Sequence, residues 1–253
     1  MTIALTRIWT DGRKAERVAY VVGAVLFASG LVHAGVLLVT GGSWLGPLSL
    51  RKPTTFGLSF GLTLATVAWA SSFVTLRPLL RRVLLGALTV ASVVETALVT
   101  MQAWLGVPSH FNFETPFDTA VSMTLAGGGA VIIAAAVCFT VAAVVGVSGL
   151  SPGMRLALRF GFGIWLVALG TGAVMIATGV TAVRSGNPQL AYATAGSLKP
   201  LHAVAMHAVL VLPALAWLLD RLNLDEQRRL RPVRLAAAGY AALTITAAIL
   251  SIT

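Results

Sequence analysis

Long apolar runs separated by short polar connectors dominate this chain. A membrane-spanning helix needs about 20 mostly apolar residues. Seven segments meet that length, roughly 18–40, 54–76, 82–106, 117–147, 154–183, 199–220 and 233–252. The fourth and fifth are long enough to tilt or to project beyond a bilayer. No Pro/Ser-rich linker interrupts the runs and no internal repeat stands out. The pattern predicts one all-α domain over 1–253, a polytopic bundle of seven transmembrane helices.

Composition strengthens this picture. Only 10% of the 253 residues are charged, where a soluble domain carries roughly 25%. The mean hydropathy is +0.90. A soluble fold of this size could not hide so much apolar surface, so lipid is the expected solvent and the expected partner. The formal charge of +10 raises the question of nucleic acid. The basic residues lie in short clusters between apolar runs, however, which is the pattern of membrane loops. The single Cys138 lies inside an apolar run and can form neither an internal disulfide nor, alone, a metal site. The start, MTIALTRIWTDGRKAER, lacks the apolar core and small-residue cleavage site of a removable signal, so the first apolar segment is expected to stay as an anchor.

Charge asymmetry sets an orientation. With the N-terminus inside, the inner segments hold Arg7, Arg13, Lys14, Arg17, Arg77, Arg81, Arg82, Arg155, Arg159, Arg221, Arg228, Arg229, Arg231 and Arg234. The outer segments hold Arg51, Lys52, Arg184 and Lys199. Fourteen against four over short loops places the N-terminus in the cytoplasm and the C-terminus outside. Helix contact is expected at small-residue stretches, LAGGGA (125–130) and GTGAVMIATG (170–179), which could also join copies of the chain. Pro213 is expected to kink the sixth span.

With that orientation, all four histidines fall in the outer half. The connector QAWLGVPSHFNFETPFD (102–118) gathers His110, Asn112, Glu114 and Asp118 with no Lys or Arg. LRKPTTF (50–56) brings Arg51 and Lys52, and GSLKPLHAVAMHAVLVLP (196–213) brings Lys199, His202 and His207. Ionisable groups at membrane depth are costly and usually face the bundle interior or a wet cavity. One cavity open to the extracytoplasmic side is therefore expected. His33 and His207 should both lie about 10 Å below the outer boundary, and Glu95 roughly 15 Å below it. Gln102 shares the face of Glu95 at i+7. A buried Glu in lipid is either protonated or paired.

Each feature admits a plainer alternative. His33 and His207, at equal depth, could be axial ligands of a haem b, or each could bond a nearby carbonyl. His110, Glu114 and Asp118 could hold a metal at the rim. ETPFD also reads as a helix start, with Thr115 as N-cap, Pro116 at the first position and Asp118 in the first turn. Arg51 and Lys52 could be interfacial anchors, partners of Glu114 or Asp118, or receivers of an anionic group. His202 and His207 lie about 140° apart round a helix and lack the i, i+4 spacing of zinc ligands. The last span has no lysine for a retinal Schiff base, and no Gly-rich phosphate loop is present.

RKPTTFGLSF, QAWLGVPSHFNFETPFD and LKPLHAVAMHAVLVLP, in that order, resemble a widespread group of bacterial seven-helix membrane proteins. That group shares an RKP segment, an SHFN..TP.D connector and a K..H....H helix. The resemblance implies a multi-pass protein of the bacterial cytoplasmic membrane and points to Arg51, Lys52, His110, Asn112, Asp118, Lys199, His202 and His207. It implies no reaction. Where the group often has a Gln three residues after the second His, this chain has Leu210.

Three functions follow as expectations. The first is a redox protein holding haem b between His33 and His207, with Arg51, Lys52 and Lys199 on the propionates. The second is a membrane-embedded enzyme for a lipid or quinone-like substrate. In it His110 or His202 acts as acid/base, Glu95 relays protons, and Gln102, Asn112, Glu114 and Asp118 contact substrate. The third is a proton-coupled transporter titrating Glu95, for which no pair of broken helices in matching halves is visible.

Overall fold

The computed structural model describes residues 13–194 and 196–252, so Arg7, counted above, lies outside the described residues. Their regular secondary structure is all helix, with no strand among them: α1 Lys14–Thr40, α2 Arg51–Ser72, α3 Pro78–Trp104, α4 Pro116–Val145, α5 Pro152–Arg184, α6 Pro188–Thr194, α7 Lys199–Met206, α8 Ala208–Leu219 and α9 Glu226–Ile252. Six stretches are long and apolar enough to cross a bilayer: α1, α3, α4, α5, α7 with α8 (Lys199–Leu219), and α9. The protein is thus a polytopic helical membrane protein. Exposed Val25, Val32, Leu38, Val83, Val90, Leu243 and Ile249 fit a surface that meets lipid rather than water. The helix over the predicted second span, α2, is not among the six. It opens on Arg51 and Lys52 and carries Thr54, Thr55, Ser59, Thr63 and Thr66, which dilute its apolar face.

Helix ends follow local chemistry. Pro78, Pro116 and Pro152 each stand at a first position, where the missing N–H costs nothing. The helices therefore begin earlier than the apolar runs do. α1 ends at Gly41, whose left-handed φ of 62° lets its N–H reach the Leu37 carbonyl.

The chain gathers into two compact units, residues up to Trp69 with Leu76–Ala135, and Ala70–Thr75 with Ala136–Thr253. In the first, α1 buries Glu16, Ala19, Gly23, Leu26, Gly30, His33 and Leu37, an alternating 3–4 spacing along one face. This face meets α2 through glycine. A Cβ on Gly30 would lie 2.5 Å from the Leu58 nitrogen, and one on Gly61 would lie 2.6 Å from the Gly23 oxygen. Backbone touches backbone there, the usual means of helix association in lipid. Away from this seam, Glu16 ties the start of α1 to α3 by a buried ion pair with Arg81 at 3.4 Å.

Of the glycines expected to bring helices together, some face open space and others face a side chain of a neighbouring helix. Gly127, Gly129 and Gly170 have nothing within 4 Å of an added Cβ, while Gly128 and Gly172 face side chains of Glu95 and His202. In the second unit helices approach closely at Gly161, where a Cβ would lie 3.0 Å from the Ala208 carbonyl oxygen, beside Phe162, which stacks on Phe139 and meets Trp165 edge-on. The sixth span breaks at His207, six residues before Pro213. Tyr240 Oη donates to the Val204 carbonyl at 2.8 Å, the acceptor that Ala208 N–H would use in an unbroken helix.

Candidate functional site at the 102–118 connector

The connector between α3 and α4 lies wholly within the first unit. α3 stops at Trp104. Gly106, at φ 71°, turns the chain, and Val107 N–H returns to the Gln102 carbonyl at 3.1 Å. Phe111 is the single non-glycine residue with positive φ (61°) among the described residues. Such a backbone is unfavourable for a bulky side chain and persists where its surroundings demand it. It holds the SHFN turn so that the His110 ring packs 5.7 Å from Phe56 and 6.0 Å from Phe111. Ser109 Oγ and His110 Nδ1 share a hydrogen bond of 3.0 Å. Burial, and next the positive charge of Lys52, push the His110 imidazole down to about 3, so it is neutral at neutral pH.

Asn112 shapes the next step. Its Oδ1 accepts from Glu114 N–H at 3.2 Å, and its carbonyl accepts from Ser122 Oγ at 2.9 Å. Thr115 caps α4: Oγ1 accepts from Asp118 N–H at 3.1 Å and donates to Asp118 Oδ2 at 2.5 Å. The other Asp118 oxygen accepts from Gln102 Nε2 at 2.9 Å, which joins the two helices. Capping thus accounts for Thr115 and half of Asp118, and Gln102 takes the rest. Arg51 turns instead to the Trp44 carbonyl, its Nε donating at 2.9 Å. Glu114 is exposed.

Two buried atoms of this cluster meet no partner, Gln102 Oε1 and Asn112 Nδ2. Gln102 is 0% exposed and Asn112 2%. One is an acceptor and the other a donor. Deeper on α3, Glu95 packs into the space left by Gly128, where a Cβ would stand 2.5 Å from Oε1, an atom that also lacks a partner.

The remaining predicted residues divide between the units. His33, in the first, donates from Nδ1 to the Ser29 carbonyl at 2.7 Å and accepts at Nε2 from Trp104 Nε1 at 3.0 Å. In the second unit, His202 Nδ1 donates to the Ala168 carbonyl at 2.7 Å, with Thr171 Oγ1 at 3.4 Å. His207 is exposed and turns Nδ1 to the Ala203 carbonyl at 2.7 Å. Lys199 folds over Gly196. The first unit therefore assembles Gln102, His110, Asn112 and Asp118 near one connector. No group of three or more His, Cys, Asp or Glu poised to hold a metal ion occurs among the described residues.

Sequence reasoning missed Ser109, Ser122 and Trp104 in this network, and Thr96 and Thr100 beside Glu95. The i+4 pair of threonines next to a buried acid was the available signal. Trp104 offered none, because its partner lies 71 positions away. Comparisons with protein-family models, curated proteins and solved structures found no match.

Proposed function

We propose that this chain is a seven-span protein of a bacterial cytoplasmic membrane, N-terminus inside and C-terminus outside, related to the group sharing the RKP, SHFN and K..H....H motifs. Its connector cluster binds the head group of a quinone-like amphiphile through hydrogen bonds to the head group's oxygens. The observation that carries this reading is the pair of buried, unpartnered amide atoms, Asn112 Nδ2 and Gln102 Oε1, in a unit whose connector also packs the His110 ring against Phe56 and Phe111. A quinone oxygen accepts, matching Asn112 Nδ2, and the hydroxyl of its reduced form donates, matching Gln102 Oε1. Flat rings favour aromatic neighbours. His110, being neutral, serves as a hydrogen-bonding and packing group. An imidazole so far below its ordinary range is a poor acid or base near pH 7.

Equilibrium binding of decylubiquinone to detergent-purified protein tests this. One saturable site is expected, weakened about tenfold in Asn112→Leu through the lost hydrogen bond. Absence of saturable binding, or equal affinity in Asn112→Leu, would contradict it.

His33 and His207 each turn Nδ1 to a backbone carbonyl, the plainer alternative to haem ligation, and His33 Nε2 already accepts from Trp104 Nε1 at 3.0 Å. A haem b on either histidine would give a Soret band, and a colourless preparation from haem-replete cells would remove that reading.

A further inference from the structure

The loop between α1 and α2, residues 41–50, carries no charged side chain. Its large apolar groups point outward. Trp44, Leu45 and Leu48 are all exposed, Leu45 by 78%, and Leu38 and Val39 in the last turn of α1 are more open still. Facing water, so dense a run of exposed apolar side chains would be costly, and such a patch marks a surface that something covers.

The polar groups of the same loop turn back on the chain. Ser43 Oγ accepts from Leu45 N–H at 3.1 Å, and buried Ser49 donates from Oγ to the Ser43 carbonyl at 2.5 Å. Ser49 Oγ also accepts from Arg51 N–H at 3.1 Å, while Arg51 Nε donates to the Trp44 carbonyl at 2.9 Å. Side chains thus supply hydrogen bonds that water would supply to an ordinary surface loop. Place and charge say what lies on the apolar side. α1 is long and apolar enough to cross a bilayer and ends at Thr40, so the loop leaves it at the membrane boundary. Trp is favoured at that level. Of its side-chain donors Arg51 commits only Nε to a described residue, and the rest of its guanidinium suits the phosphate oxygens of a lipid head group.

We infer that this loop is an interfacial anchor that dips into the adjoining phospholipid leaflet. Leu45 and Leu48 enter the upper acyl chains, Trp44 lies at the head-group level, and Arg51 meets a lipid phosphate. The backbone stays at the interface, because irregular chain does not enter the hydrocarbon facing lipid. The anchor gives α2 a hold on the membrane that its own composition lacks, since α2 is not among the helices apolar enough to cross. Phe56, five residues beyond Arg51, packs on His110 at 5.7 Å, so the level of the anchor sets the level at which α2 meets the connector. The inference goes beyond the head-group site and holds for either orientation of the chain.

A nitroxide is attached at Leu45→Cys, and for comparison at Glu114→Cys, each in a Cys138→Ser background, in full-length protein in phosphatidylcholine liposomes. Power saturation reads collisions with oxygen, which dissolves in lipid, and with a neutral nickel chelate, which stays in water. The oxygen-to-nickel collision ratio at position 45 should exceed that at position 114 about tenfold, since a hydrophilic chelate enters hydrocarbon poorly. A ratio no higher than at 114 would place the loop in water and overturn the inference. Few collisions with either reagent would show the loop covered by protein, such as a second copy of the chain, and would overturn it equally. A second readout leaves Leu45 in place. Phospholipids brominated near the top of the acyl chain should quench the part of the tryptophan emission that is lost in Trp44→Phe. If that part is not quenched, the anchor is overturned independently.

Discussion

Asp118, although it sits in a strongly basic chain, leans on neutral partners: the Gln102 amide, the Thr115 hydroxyl and its own helix N-terminus. Helix-start chemistry at Thr115 was legible because capping is local, fixed by residues three apart. The Gln102 bond was not, because it depends on how α3 meets α4. The choice between Arg51 and a neutral partner for Asp118 was equally closed to sequence, since Arg51 turns to the Trp44 carbonyl in a connector without helical periodicity. At His110, burial and Lys52 hold the imidazole at about 3 against an ordinary 6.5. The folded protein therefore binds fewer protons than the unfolded chain between about 3 and 6.5. The His110 contribution is full above about 6.5 and is lost as pH falls through that window. Thermal stability followed from pH 7 to pH 5 should fall less steeply in His110→Phe than in the wild type. Identical slopes would show that His110 is not held in this way.

At the scale of elements, the long apolar runs predicted helices closely, and their ends moved outward where Pro, Ser or a charged first turn extends a helix beyond its apolar core. What apolar pattern could not show was which glycines matter. LAGGGA and GTGAVMIATG look like contact motifs, yet helix contact depends on the face presented, and Gly127, Gly129 and Gly170 present theirs to open space. The seam lies at Gly23, Gly30, Gly57 and Gly61. Gly30→Ala should cost about 1–3 kcal/mol through overpacking, whereas Gly129→Ala should be neutral or slightly stabilising by helix propensity. Thermal denaturation of the two variants in the same detergent separates them, and equal losses would place the seam elsewhere. The sixth span shows the same limit. Pro213 marked a kink, but the break falls at His207, where the hydroxyl of distant Tyr240 takes the Val204 carbonyl.

At the scale of the whole molecule, lipid as solvent explains both the exposed Val and Leu of the spans and the concentration of polar chemistry at their ends. That much was legible from composition and charge alone. The grouping of Gln102, His110, Asn112 and Asp118 was half legible: the connector announced itself by its acids and histidine, while the open amide atoms appear only once the helices pack. Orientation is the claim on which the head-group site depends, and it rests on the fourteen-to-four division of Arg and Lys. It is tested most directly by sided labelling of exposed position 114, using Glu114→Cys in a Cys138→Ser background and a membrane-impermeant maleimide. Labelling in intact spheroplasts, and protection in sealed inside-out vesicles, is the predicted result. Labelling confined to the inside-out vesicles would put the SHFN turn in the cytoplasm and contradict the account.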